Sequence, residues 1–94
     1  MAKELRILML EDEPADAELE QRELRRAGLS FVTHAVASRS GFIDGLGSFQ
    51  PDLVLADFSL PGFDGLSALA ITRERAPDVP FIFVTGVMGE EFAI

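Results

Sequence analysis

The sequence contains no cysteine. That excludes disulfides, thiol nucleophiles and cysteine-bound zinc, and it argues against an extracellular scaffold. Long hydrophobic runs are also missing: no stretch approaches the roughly 18 residues of a membrane span. Lys3, Glu4 and Arg6 stand where a secretory leader would need its apolar core. A soluble, cytoplasmic chain is expected. Cations are scarce, with 8 Lys and Arg against 16 Asp and Glu and a net charge of −8. Phosphates of nucleic acid and anionic lipid headgroups are repelled by such a balance, so direct nucleic-acid and membrane partners are not expected. Elsewhere on the surface the excess means solubility. A phosphate-cradling glycine loop of the nucleotide-binding type is absent. His34 is the sole histidine, and with no partner motif it receives neither a phosphohistidine nor a metal role.

What is present fits one domain over residues 1–94. Apolar residues make up 48% of the chain, enough for a packed core rather than a disordered segment. Two kinds of segment alternate. Leu5 to Leu10 is almost wholly apolar, the pattern of a strand covered on both faces. Pro14 suits the first turn of a helix that runs to about Ala27, and Gly28 is a natural terminator. The mixed Glu and Arg residues of that helix read as a solvated face. Phe31 to Val36 reads as a more polar strand, suited to a sheet edge. A second helix begins near Ser38 or Ser40; its Gly41, Gly45 and Gly47 predict a short or irregular element. Leu53 to Ala56 is the third strand. A helix follows from Asp64-Gly65 to about Arg75, with Leu66, Leu69 and Ala70 on one side. Phe81 to Val84 is the fourth strand. Residues 89–94 read as the first turn of another helix.

The order β-α-β-α-β-α-β with short connections predicts an α/β fold with parallel strands and right-handed crossovers. In a flavodoxin-like strand order of 2-1-3-4, ligands bind beyond the carboxyl ends of the strands, where the order reverses. The first strand ends on Glu11-Asp12, the third on Asp57 and the fourth on Thr85-Gly86. Each residue has a bland alternative. Asp57 suits a turn, Glu11-Asp12 suits a helix N-terminus, Thr85 suits a strand end, and Asp64 is better taken as a cap than as a ligand. Their shared location favours a site. Clustered carboxylates repel, by about 4 kcal/mol for unit charges about 4 Å apart at an effective dielectric of 20. A proton or a cation relieves this, and Mg2+, which takes oxygen ligands and is commonly shared with phosphate, fits best. The backbone carbonyl of Ser59 is near enough in sequence to add a ligand, and the Thr85 hydroxyl is suited to a phosphoryl oxygen.

The segments Ile7-Leu8-Met9-Leu10-Glu11-Asp12-Glu13-Pro14, Pro51-Asp52-Leu53-Val54-Leu55-Ala56-Asp57, Leu60-Pro61-Gly62-Phe63-Asp64-Gly65 and Pro80-Phe81-Ile82-Phe83-Val84-Thr85-Gly86 together resemble the receiver domain of two-component response regulators. The resemblance implies a CheY-like fold. It implies that Asp57 is the phosphoacceptor, that Glu11, Asp12, Asp57 and the Ser59 carbonyl hold Mg2+, and that Thr85 contacts the phosphoryl group. A histidine kinase or histidine phosphotransfer protein is the implied partner, and the implied role is signalling rather than conventional enzyme catalysis. The family's fifth strand, with its lysine, and the fifth helix have no counterpart here; the only lysine is Lys3. The expectation is a partial receiver with a bare fourth-strand edge that invites self-association. Two other readings compete. One is a receiver-like interaction or dimerisation domain not competent for phosphorylation. The other is a magnesium-dependent aspartyl phosphotransferase, which would want a second Asp where Ser59 stands.

Overall fold

The computed structural model describes residues 4–57, 62–85 and 91–93, the last three and Thr85 by their backbone. In chain order the elements are β1 (Leu5–Leu10), α1 (Pro14–Arg26), β2 (Phe31–Val36), α2 (Arg39–Ser48), β3 (Leu53–Asp57), α3 (Gly65–Arg75), β4 (Phe81–Thr85) and β5 (Glu91–Ala93). They form one sheet of order β2-β1-β3-β4-β5. The first four strands are parallel and keep the expected order 2-1-3-4, with β2 at the edge. The described residues include no fifth parallel strand.

Strand alternation divides the core. Leu8, Leu10, Val54, Ala56, Phe81 and Phe83 point to the side covered by α2 and α3, where Phe42, Leu46, Ala68 and Ile71 meet them. Ile7, Met9, Leu55 and Val84 point to the side of α1, where Ala17 is buried. Four consecutive residues, Ile7 to Leu10, have no exposed surface at all. Each such side chain contributes about 1.5–3 kcal/mol relative to exposure. This is why the apolar run must be a central strand.

Each helix starts on a side-chain cap. Glu13 accepts from the Ala15 N–H at 3.3 Å, Ser38 from Gly41 at 3.0 Å and Asp64 from Ser67 at 2.7 Å. Pro14 occupies the first turn of α1, and Gly28 leaves it with φ of +87°, as the sequence predicts.

Four expectations need correction. The second helix is neither short nor broken: α2 is continuous over ten residues. Its Gly45 lies so close to β1 that a Cβ there would come within 2.8 Å of Leu8 Cδ1, so this glycine serves close packing rather than disruption. The inward face of α3 is Ala68, Ile71 and Thr72, whereas Leu66 is 59% exposed. Gly65, pressed against the Phe83 ring and the Asp57 carbonyl, sets that rotation. Of the segment read as a helical turn, residues 91–93 form the strand β5, antiparallel to β4, and the rest lies outside the described residues. Finally, β5 pairs with Phe83, Val84 and Thr85, so the edge expected to be bare is covered there. Open N–H and C=O groups along a strand edge favour such pairing, and a helical turn would leave them unsatisfied.

Candidate functional site

The ladder register builds the site. Leu10 pairs with Ala56, so Glu11 and Asp57 emerge side by side at the carboxyl edge of the sheet. Asp57 pairs with Val84, which places the Thr85 backbone one residue further along the same edge. The Glu11 N–H continues the ladder by donating to the Val36 carbonyl at 2.9 Å. The Glu13 N–H turns back and donates to Glu11 Oε2 at 3.1 Å. Glu11 is consequently only 7% exposed. Asp12 is exposed and Asp57 half-buried.

One carboxylate oxygen from each of Glu11, Asp12 and Asp57 lies within 4.8 Å of the other two. Three of the acids singled out from sequence therefore converge. Ser59 lies outside the described residues, as does the side chain of Thr85. Asp64 is exposed and caps α3; its hydrogen bond from the Ser67 N–H holds its carboxyl below the usual range, in keeping with a cap. His34 stands in the middle of β2, exposed, with its ring 5.5 Å from that of Phe49 and apart from the acids.

The acids strain each other electrostatically. Burial pushes the Glu11 carboxyl up, the Asp57 charge adds to this, and the Glu13 N–H opposes it. A fourth acid, Glu20 of α1, joins them. Burial first, then the neighbouring Glu11 charge, raises it to about 8. The sequence reading placed Glu20 on a solvated face, and this is a correction. The available signal was spacing: Glu20 lies three residues after Ala17 and four before Leu24, on the inward stripe of the helix. Hard oxygen donors converging in an acidic cluster fit a divalent cation of the magnesium type.

Comparison with known proteins decides what this edge belongs to. The family described as "Response regulator receiver domain" matches residues 7–94.

The chain belongs to that family.

This receiver is 35% identical over 88 residues to the probable C4-dicarboxylate response regulator DctR of Halalkalibacterium halodurans, covering 90% of this chain and 38% of that protein. It is 34% identical over 77 residues to the regulatory protein LuxO of Vibrio cholerae, covering 82% of this chain and 16% of that one. The receiver thus spans well under half the length of these curated relatives. Among solved structures it resembles the receiver domain of a sensor histidine kinase from Pseudomonas aeruginosa PAO1, which has a magnesium ion coordinated in its active-site cleft. That match has 28% identity and a TM-score of 0.70, covering 86% of this chain and 66% of the other. A putative response regulator from Chloroflexus aurantiacus matches at 25% identity and a TM-score of 0.73, covering 86% and 66%. Receivers are signalling modules rather than conventional enzymes. Among the described residues, no helix is long and apolar enough to cross a membrane.

Proposed function

We propose that this chain is the phosphoacceptor module of a two-component system, one receiver unit working in the cytoplasm with a histidine kinase or histidine phosphotransfer protein as its donor. The observation that carries this reading is the convergence of Glu11, Asp12 and Asp57 oxygens within 4.8 Å at the carboxyl edge of a parallel sheet. An Asp57 carboxylate oxygen attacks the phosphorus atom. The bond from phosphorus to the donor's imidazole nitrogen breaks, and an acyl phosphate forms on Asp57. Glu11, Asp12, Asp57 and the Ser59 carbonyl would hold Mg2+. Bound there, the ion neutralises charge on the transferring phosphoryl group. The Thr85 hydroxyl would then contact a phosphoryl oxygen.

The buried β1 run fixes Glu11, and β3 fixes Asp57, so the acids need no rearrangement to meet. The net charge of −8 disfavours direct contact with DNA by this segment. A relative such as the DNA-binding response regulator MtrA of Mycolicibacterium smegmatis is matched over only 34% of its length.

Incubation with acetyl phosphate and Mg2+, followed by intact mass, tests the reading. The chain should gain the mass of one phosphoryl group, lost under EDTA and absent from Asp57→Ala. An unmodified wild-type chain, or an equal adduct on Asp57→Ala, would overturn it.

A further inference from the structure

Gly65, the first residue of α3, is buried at the point where β3 and β4 end side by side. Asp57 pairs with Val84, so Phe83 stands beside Ala56, one step before the acid. A Cβ built on Gly65 would lie 2.5 Å from Phe83 Cε1 and 3.2 Å from the Asp57 carbonyl oxygen. Carbon atoms in contact stand about 3.5–4.0 Å apart, so a methyl group there must displace something. The helix start thus rests directly on the Asp57 backbone.

Neither the helix nor the ring yields without loss. The Asp64 carboxylate accepts from the Ser67 N–H at 2.7 Å and the Asp64 carbonyl from the Ala68 N–H at 3.2 Å, which fixes where α3 begins. Retreat of the helix would uncover Ala68, Ile71 and Thr72, all buried. The Phe83 ring stands edge-on to that of Phe81, with centroids 5.1 Å apart. It also lines a groove of about 280 Å³ with Leu69, Ala76 and Val79, and turning further into that groove would give up the edge contact.

The Asp57 backbone is the third neighbour that a side chain at position 65 would push. We infer that Gly65 is a positioning residue: by having no side chain it lets α3 seat against the Asp57 carbonyl, which keeps the Asp57 carboxylate in register with those of Glu11 and Asp12. Gly65 offers an ion no side-chain group of its own and acts through Asp57. The inference rests on the proposed function, because it takes Asp57 as part of a divalent-cation site.

Disturbing the outer contacts of metal-binding side chains typically costs about 10–100-fold in affinity. Calorimetric titration with MgCl2 alone should therefore show Gly65→Ala weakened about tenfold. Phe83→Leu removes the ring edge that crowds position 65 and should bind Mg2+ as wild type does. In the double variant, Gly65→Ala with Phe83→Leu, the methyl group leans into the vacated space, and affinity should return to that of Phe83→Leu. Metal-free thermal melts rank the same proteins by stability. The double variant should melt below wild type, because leucine in place of a buried ring leaves a cavity. Restored affinity in a destabilised protein is a result that a purely structural role would not give. Wild-type affinity in Gly65→Ala would overturn the inference, since the ring would then have absorbed the methyl group. Equal weakening in Gly65→Ala and the double variant would overturn it too, because affinity would then follow stability. Should Gly65→Ala fail to fold, the double variant is compared with Phe83→Leu alone: equal affinity upholds the positioning role, and a loss of about tenfold overturns it. Absence of Mg2+ binding by the wild-type chain would instead defeat the site reading, and this inference with it.

Discussion

At the scale of single residues, the acids of the carboxyl edge oppose one another and the fold tolerates the conflict. Glu11 is tied to the end of a strand whose last four residues have no exposed surface, and Glu20 is carried inward by the helix above it. Both titrate above the ordinary carboxylate value of 4.5 because burial and mutual charge favour their protonated forms. The folded state therefore binds protons more tightly than the unfolded chain. Stability from this pair is complete below about pH 4.5 and is lost as pH rises toward about 8, the value of Glu20. The metal-free protein should accordingly melt at progressively lower temperature between these limits. Glu20→Gln should flatten the decline, and saturating Mg2+ should oppose it by neutralising the ionised acids. Thermal melts across that range, with EDTA or with Mg2+, measure both effects. A metal-free stability that climbs over the same interval would contradict the arrangement of these groups.

At the scale of elements, two glycines of α2 look alike in sequence and behave oppositely in space. A Cβ at Gly45 would lie 2.8 Å from Leu8 Cδ1, and Leu8 is fully buried and has little room to yield. At Gly47 a Cβ would meet nothing within 4 Å. Gly45→Ala should destabilise by about 1–2 kcal/mol, since overpacking outweighs helix propensity. Gly47→Ala should stabilise by up to about 1 kcal/mol. Urea unfolding of both variants checks the pair, and the opposite ranking would mean that α2 does not approach β1 as described. The same contrast marks what could be read from sequence. Ile7 to Leu10 and Leu53 to Ala56 were legible as strands because covered parallel strands are continuously apolar. The acids ending them were legible because parallel connectivity sends them to one edge. The α3 face was not, because its rotation depends on Gly65 meeting Phe83, a contact 18 positions away in the chain. Nor was β5, since pairing with an existing edge depends on the neighbour and not on the segment's own pattern. Glu20 was hidden by its charge: an acid among Glu and Arg reads as solvated unless the spacing from Ala17 to Leu24 is given precedence.

At the scale of the whole molecule, the two ends of the sheet are built differently. At the amino end, Arg6 is locked in place: its Nε donates to the Phe49 carbonyl at 2.8 Å, its guanidinium lies 4.3 Å from the Phe49 ring centroid, and its N–H donates to Asp52 at 3.0 Å. At the carboxyl end, four acids gather in a chain whose net charge is −8. One end is held by satisfied contacts, whereas the other retains repulsion that a cation can relieve. A ligand that binds only the folded state stabilises it by mass action, by about 1.4 kcal/mol at a tenfold excess over its Kd. For a domain of this size that is roughly 6–11 °C in Tm. Mg2+ should produce a rise of this order, whereas NaCl at matched ionic strength, which only screens, should produce much less. Asp57→Ala removes one of the three converging carboxylates and should lose most of the Mg2+ increment while keeping the response to NaCl. An increment that survives intact in Asp57→Ala would place the stabilising cation elsewhere on the acidic surface and separate the charge of the molecule from its proposed site.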